Sequence, residues 1–126
     1  MKKTITTGGA PSAIGTYSQA VQHGGLLYVS GQIPLVPATM ELVSQDITQQ
    51  INQVFDNLSA ITAAAGTTLN DTIKFTVYLT DLSHFPTVNE VMAERLSQPY
   101  PARVAVEVSA LPRSALVEVD AIVAIS

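Results

Sequence analysis

Cysteine and tryptophan are both absent from this chain, and charge is scarce: Asp, Glu, Lys and Arg together make up 13% of its 126 residues. Without cysteine there is no disulfide framework, no thiolate nucleophile and no cysteine metal site. The two histidines, His23 and His84, lie far apart in sequence, which argues against a histidine metal cluster and a Ser-His-Asp relay. No metal site is expected. The six basic residues, Lys2, Lys3, Lys74, Arg95, Arg103 and Arg113, are scattered, and the net charge is −4. Nucleic acid therefore makes a poor partner, because a phosphate-tracking groove needs clustered cations. No stretch is long and apolar enough to cross a membrane. Lys2-Lys3 is followed by threonine and glycine rather than an apolar run, so no secretory signal is expected and a cytoplasmic location is the default. Gly-Gly at 8–9 and 24–25 lacks the Gly-Lys-Ser/Thr element of a phosphate-binding loop.

What the chain has in plenty is apolar residues, 47% of the total. Its length suits one domain, 1–126, with a real core. The charged fraction is about half that of ordinary globular domains, so part of the surface is expected to face another subunit. Between Gln45 and Ala65, Ile47, Ile51, Val54, Phe55, Leu58 and Ile61 recur at steps of three and four, the stripe of an amphipathic helix. Ser44 is its expected cap and Gly66 its stop. Val88, Val91, Met92 and Leu96 form the stripe of a second helix, capped by Ser83 with Pro86 in its first turn and ended by Gln98-Pro99. Strands are expected at Lys3–Thr7, on either side of Gly24-Gly25, over Asp71–Thr80, and in two final segments. The order β-β-β-α-β-α-β-β predicts an α+β domain, a mixed sheet with both helices on one face. The other face is then left for a homo-oligomeric contact.

The two final segments carry the clearest chemical pattern. Pro101 to Val108 and Leu116 to Val123 both alternate polar and apolar residues, as a two-faced strand does. A short connection suggests an antiparallel hairpin. With the valines aligned, Arg103, Glu107, Glu118 and Asp120 would share one sheet face. A guanidinium beside carboxylates suits the holding of a small carboxylate and the movement of a proton next to it. A solvated face with an ordinary cross-strand ion pair fits the same pattern. Three other clusters have two readings each. Tyr17, in a loop before a strand, can hydrogen-bond a ligand or act as a packing anchor. Ser30 and Gly31 can offer a hydroxyl and close backbone approach, or be a satisfied strand hydroxyl and a bulge. Asn89 can bond across an interface or lie solvated on its helix.

Taken in order, Tyr17-Ser18-Gln19-Ala20, Val29-Ser30-Gly31-Gln32-Ile33-Pro34, Thr87-Val88-Asn89-Glu90-Val91, Pro99-Tyr100-Pro101-Ala102-Arg103 and Glu118-Val119-Asp120-Ala121 resemble the RidA/YjgF/UK114 family over essentially the whole chain. The resemblance implies a chorismate-mutase-like α+β fold and a homotrimer with a central barrel and a pocket between each pair of subunits. It implies a cofactor-independent hydrolase that converts 2-imino acids, and enamine tautomers such as 2-aminoacrylate, to 2-oxo acids and ammonia. Arg103 matches the carboxylate-binding arginine and Glu118 the acid that positions the attacking water. Tyr17, Ser30, Gly31 and Asn89 match pocket residues. Ala105 stands where a cysteine is common and would offer its backbone N–H. Thr16, Met92 and Leu96 also depart from the pattern. The resemblance leaves room for an endoribonuclease or translation inhibitor, and for a non-catalytic 2-oxo-acid-binding or chaperone-like trimer.

Overall fold

The computed structural model describes residues 1–126. Strands β1 (Lys3–Ile5), β2 (Ala20–His23) and β3 (Leu26–Gln32) are followed by helix α1 (Ile47–Ala64), β4 (Thr72–Leu79), α2 (Phe85–Arg95), β5 (Ala102–Glu107) and β6 (Val117–Ala124). They build one six-stranded mixed sheet in the order β1-β2-β3-β6-β4-β5. This is the expected α+β, chorismate-mutase-like arrangement with the expected element order.

Each element forms for a local reason. Gly66, at φ 81°, ends α1 in the left-handed conformation that favours glycine. The start of α1 differs from expectation: Asp46, not Ser44, is the cap, and its Oδ2 accepts from the Gln49 N–H at 3.0 Å. The Ser44 hydroxyl is occupied one step earlier, accepting from Asp46 N–H. Likewise Ser83 does not cap α2. It lies in a 3₁₀ turn, Leu82–His84, capped by Asp81. The Ser83 N–H bonded to the Asp81 carboxylate holds that carboxyl below its usual range. Helix α2 stops at Arg95, three residues before Gln98.

One face of the sheet packs on the helices. Val29, Phe75, Val77, Val117, Val119 and Val123 meet Ile51, Val54, Phe55, Leu58 and Val88 in the core. Burial of such side chains, roughly 1.5–3 kcal/mol each, is the main stabilising term. Buried amides on α1 fix the loops around it. Asn57 donates to the Leu35 carbonyl at 3.0 Å, and the Gln50 carbonyl accepts from Leu116 N–H at 2.8 Å. The opposite sheet face is bare within the chain, with Tyr28, Val104 and Val106 exposed. No helix is long and apolar enough to cross a membrane.

The expected terminal hairpin does not form. Strand β4 lies between β5 and β6, antiparallel to β6 and parallel to β5. The physical reason is the helix α2, which carries the chain from β4 back to the start of a parallel neighbour, as crossover connections do. The nine residues from Val108 to Leu116 then step over β4. Arg103 and Glu107 pair with Phe75 and Leu79, whose side chains point into the core. They therefore share the helix-side face. Glu118 and Asp120 pair with Tyr78 and Thr76 on the bare face. The four charges do not share one side. Valine does not mark the core face here because β5 is an edge strand: Val104 and Val106 are 41% and 38% exposed on the bare face, while the helix-side face at this edge has room for polar groups.

Candidate functional site

The residues singled out in the sequence fall into two clusters. The first stands where α2 overhangs β5. Asn89, one turn along α2 from Phe85, accepts from Arg103 Nη1 at 2.7 Å. The Arg103 guanidinium lies 4.7 Å from the centre of the Phe85 ring, in cation–π range. Ring and amide aim the guanidinium while leaving most of its donors open. Arg103 has no carboxylate partner; the chain's ion pair is Arg95–Asp56, at 2.9 Å. Glu107 is turned to another task, accepting from Leu82 N–H at 3.0 Å. Ala105 sits between Arg103 and Glu107. Val108 N–H donates to the Leu79 carbonyl across the β4–β5 ladder. Strand alternation therefore turns the Ala105 N–H the other way, to the free sheet edge. A cavity of about 400 Å³ opens beside Arg103 and Asn89. Phe85 was not singled out from sequence; its place four residues before Asn89 was the available signal.

The second cluster lies on β3, β6 and the loop before β2. Gln19 is buried and ties that loop together: its amide donates to the Pro11 carbonyl at 2.8 Å, and its oxygen accepts from Thr7 N–H at 2.7 Å. Tyr17, in the same loop, is 53% exposed. Ser30 donates its hydroxyl to the Ser18 carbonyl at 2.6 Å. It is a satisfied strand hydroxyl that anchors the loop carrying Tyr17, with oxygen lone pairs still open. The β3–β6 ladder is irregular between Val29 and Gln32, so Gly31 sits at a bulge. A Cβ at Gly31 would overlap Glu118 Oε2. The missing side chain is what lets the half-buried Glu118 fold over β3.

Glu118 has an uncommon environment. Burial, and then the like charge of Asp120 two residues along, push its carboxyl above the usual range. Tyr78, across the ladder, donates to Asp120 at 3.2 Å. Burial and then Asp120 raise the Tyr78 hydroxyl as well. A carboxyl raised in this way can hold or release a proton nearer neutral pH. Gly31→Ala is expected to displace this carboxylate. Any rate that depends on where Glu118 sits should fall, by up to about 10²-fold, with the far-ultraviolet circular dichroism spectrum retained. Unchanged kcat would separate the position of Glu118 from catalysis.

Arg103 and Glu118 do not meet within one chain. They stand two strands apart and three residues apart along the ladder, which places their Cα atoms about 14 Å from each other at ordinary strand spacings. Their side chains also leave opposite faces. One cluster holds a cation beside a largely apolar cavity, and the other holds a carboxyl with hydroxyls.

The profile described as Endoribonuclease L-PSP matches residues 7–125. A RutC family protein from Pyrococcus horikoshii is 52% identical, over 97% of each chain. A protein from Mus musculus named 2-iminobutanoate/2-iminopropanoate deaminase is 43% identical, over 97% of this chain and 90% of its own. The crystal structure of RidA from the Antarctic bacterium Psychrobacter superposes with a TM-score of 0.94 at 53% identity, covering 98% of this chain and 99% of that one.

Proposed function

The chain belongs to the RidA/YjgF/UK114 family, whose profile carries the name endoribonuclease L-PSP, and from that premise we propose that it hydrolyses reactive 2-imino acids and their enamine tautomers to 2-oxo acids and ammonia. The observation that carries the reading is the pair of complementary half-sites. Two copies that meet at the free β5 edge and the bare sheet face would join Arg103, Asn89 and the Ala105 N–H of one chain to Tyr17, Ser30, Gly31 and Glu118 of the next. Three such contacts would close a homotrimer, each pocket shared by neighbours. The low charge content and the exposed Tyr28, Val104 and Val106 support a covered face.

The chemistry follows from the groups. Arg103 binds the substrate carboxylate through its planar fork and fixes the imine carbon. Glu118 takes a proton from water as the water's oxygen bonds to that carbon. Glu118 passes that proton to the imine nitrogen, which gives a tetrahedral carbinolamine. Glu118 then carries the hydroxyl proton to that nitrogen as the C–N bond breaks, the C=O forms and ammonia leaves. Tyr17 donates to the nitrogen or carboxylate, and Ser30 offers an acceptor. Imines hydrolyse unaided in water, so the roughly 10²–10⁴-fold expected of general acid–base catalysis suffices. No cofactor has a step to perform. RNA cleavage is the weaker reading, since the six cations are scattered on a chain of net charge −4.

The test couples an amino-acid oxidase to the protein and follows the imine by absorbance. Imine loss should run faster than in buffer, and sedimentation equilibrium should give three times the chain mass at micromolar concentration. An unchanged rate would overturn the activity, and a monomer would overturn the shared site.

A further inference from the structure

The cavity beside Arg103 is much larger than a three- or four-carbon imino acid requires. At about 400 Å³ it has the volume of roughly a dozen water molecules, within the range of small-ligand pockets. Its lining is mixed. Arg103 and Asn89 bring the strongly polar groups, and Met92, Ala93, Leu96, Tyr100 and Pro101 complete it; Met92 and Leu96 are buried and Tyr100 is half-exposed. Apart from the Tyr100 hydroxyl and the Met92 sulfur, which lies 4.0 Å from Arg103 Nη1, these five side chains are apolar.

A 2-imino acid has three substituents on its reacting end. The carboxylate matches the unpaired Arg103 guanidinium, and the imine must remain accessible to water and to a proton carrier. The third substituent, the amino-acid side chain, is the part that an apolar cavity next to the guanidinium can take. Charge complementarity at Arg103 and the largely apolar lining beside it thus set the occupant's polarity. We propose that this cavity receives the substrate's side chain, so that the protein favours 2-imino acids with long aliphatic or aromatic side chains over the shortest ones, with Ala93, Leu96 and Tyr100 setting the size limit. The inference rests on the imine-hydrolase reading and names the substrate class of that same site.

A short side chain leaves the apolar walls in contact with water. A longer one displaces that water, and each methylene placed in a hydrophobic pocket is worth about tenfold or more in discrimination. Ala93 is the practical handle. It is exposed on α2, so a larger residue there is compatible with the helix and enters the cavity from its wall.

The experiment compares imines generated from alanine and from leucine by the same oxidase, and the binding of the two stable products, pyruvate and 4-methyl-2-oxopentanoate, by calorimetry. The leucine-derived imine should have kcat/KM about tenfold higher or more, and its oxo acid should bind tighter by a similar factor. Ala93→Leu and Ala93→Phe should lower this ratio stepwise, because each fills more of the cavity; thermal melts establish that both variants fold. Hydrolysis of both imines with no preference, and a ratio insensitive to both variants, would overturn the side-chain pocket and leave the hydrolase reading intact. No hydrolysis of either imine, with the oxo-acid preference present and sensitive to Ala93, would support the pocket and overturn the hydrolase reading. No turnover and no preference in binding would overturn both.

Discussion

Arg103→Ala is expected to lower kcat/KM for imine hydrolysis on the order of 10³-fold, about 4 kcal/mol of transition-state stabilisation. The residue is the cation of the proposed shared site and has no carboxylate of its own to release, so its loss should remove the proposed substrate anchor with little rearrangement of the protein. The guanidinium is held by Asn89 at 2.7 Å and by the Phe85 ring at 4.7 Å, which reduces the entropy lost when a carboxylate docks. Arg103→Lys should recover little, remaining about 10²-fold down. Lysine keeps the charge but lacks the fork, and its flexible stem cannot use the ring and amide together. Because Arg103 is exposed at a sheet edge, thermal melts and sedimentation should match the parent protein. Full activity in both variants would make Arg103 structural and dismiss the carboxylate anchor.

Glu118→Gln is expected to separate chemistry from binding. Glutamine preserves the shape that fits over Gly31 but cannot take up a proton. The kcat should fall about 10²-fold or more, while calorimetric affinity for a 2-oxo acid stays within a few-fold. The pH dependence carries a second signature. In the parent, kcat should decline as pH falls through a value above the ordinary glutamate range, because the carboxyl is raised by burial and by Asp120; the variant should lack that limb. Stability should move the other way. A carboxyl whose folded-state value is raised contributes stability that is fully present below its unfolded value and lost as pH rises through the folded one. Removing the buried charge should therefore raise the melting temperature relative to the parent at neutral pH, and the difference should close near pH 4. Loss of binding equal to the loss of turnover would assign Glu118 to ligand positioning. Unchanged turnover would leave Arg103 and backbone donors acting through orientation alone.

Much of this molecule is legible in the order of its residues, and the legible part is the part governed by local spacing. The stripe Ile51, Val54, Phe55, Leu58 and Ile61 predicts α1 because a helix repeats every 3.6 residues, and the chain buries those side chains. The alternation in Val117–Ala124 predicts β6 for the corresponding reason, and the odd positions of that strand are buried. Element order and the bare sheet face follow from the same periodicities. The choice of caps was less accessible, since Ser44 and Asp46, or Asp81 and Ser83, offer similar oxygens within a few residues and the exact backbone turn selects between them.

The relation between Arg103 and Glu118 belongs to the tertiary structure. Alternation assigns each strand two faces, but it does not say which strand lies beside which. Periodicity alone gave the two segments aligned valine faces and a hairpin. The insertion of β4 between β5 and β6 instead sends Arg103 to the helix side and Glu118 to the bare side. Residue types by themselves determined that this chain has one cation suited to a carboxylate on its last strands, carboxyls nearby in sequence, and none of the cysteine or clustered histidine that other chemistries need. Only the fold decided that these groups stand in two clusters on opposite faces, because strand pairing is settled by long-range packing and crossover geometry, which no short window of sequence contains.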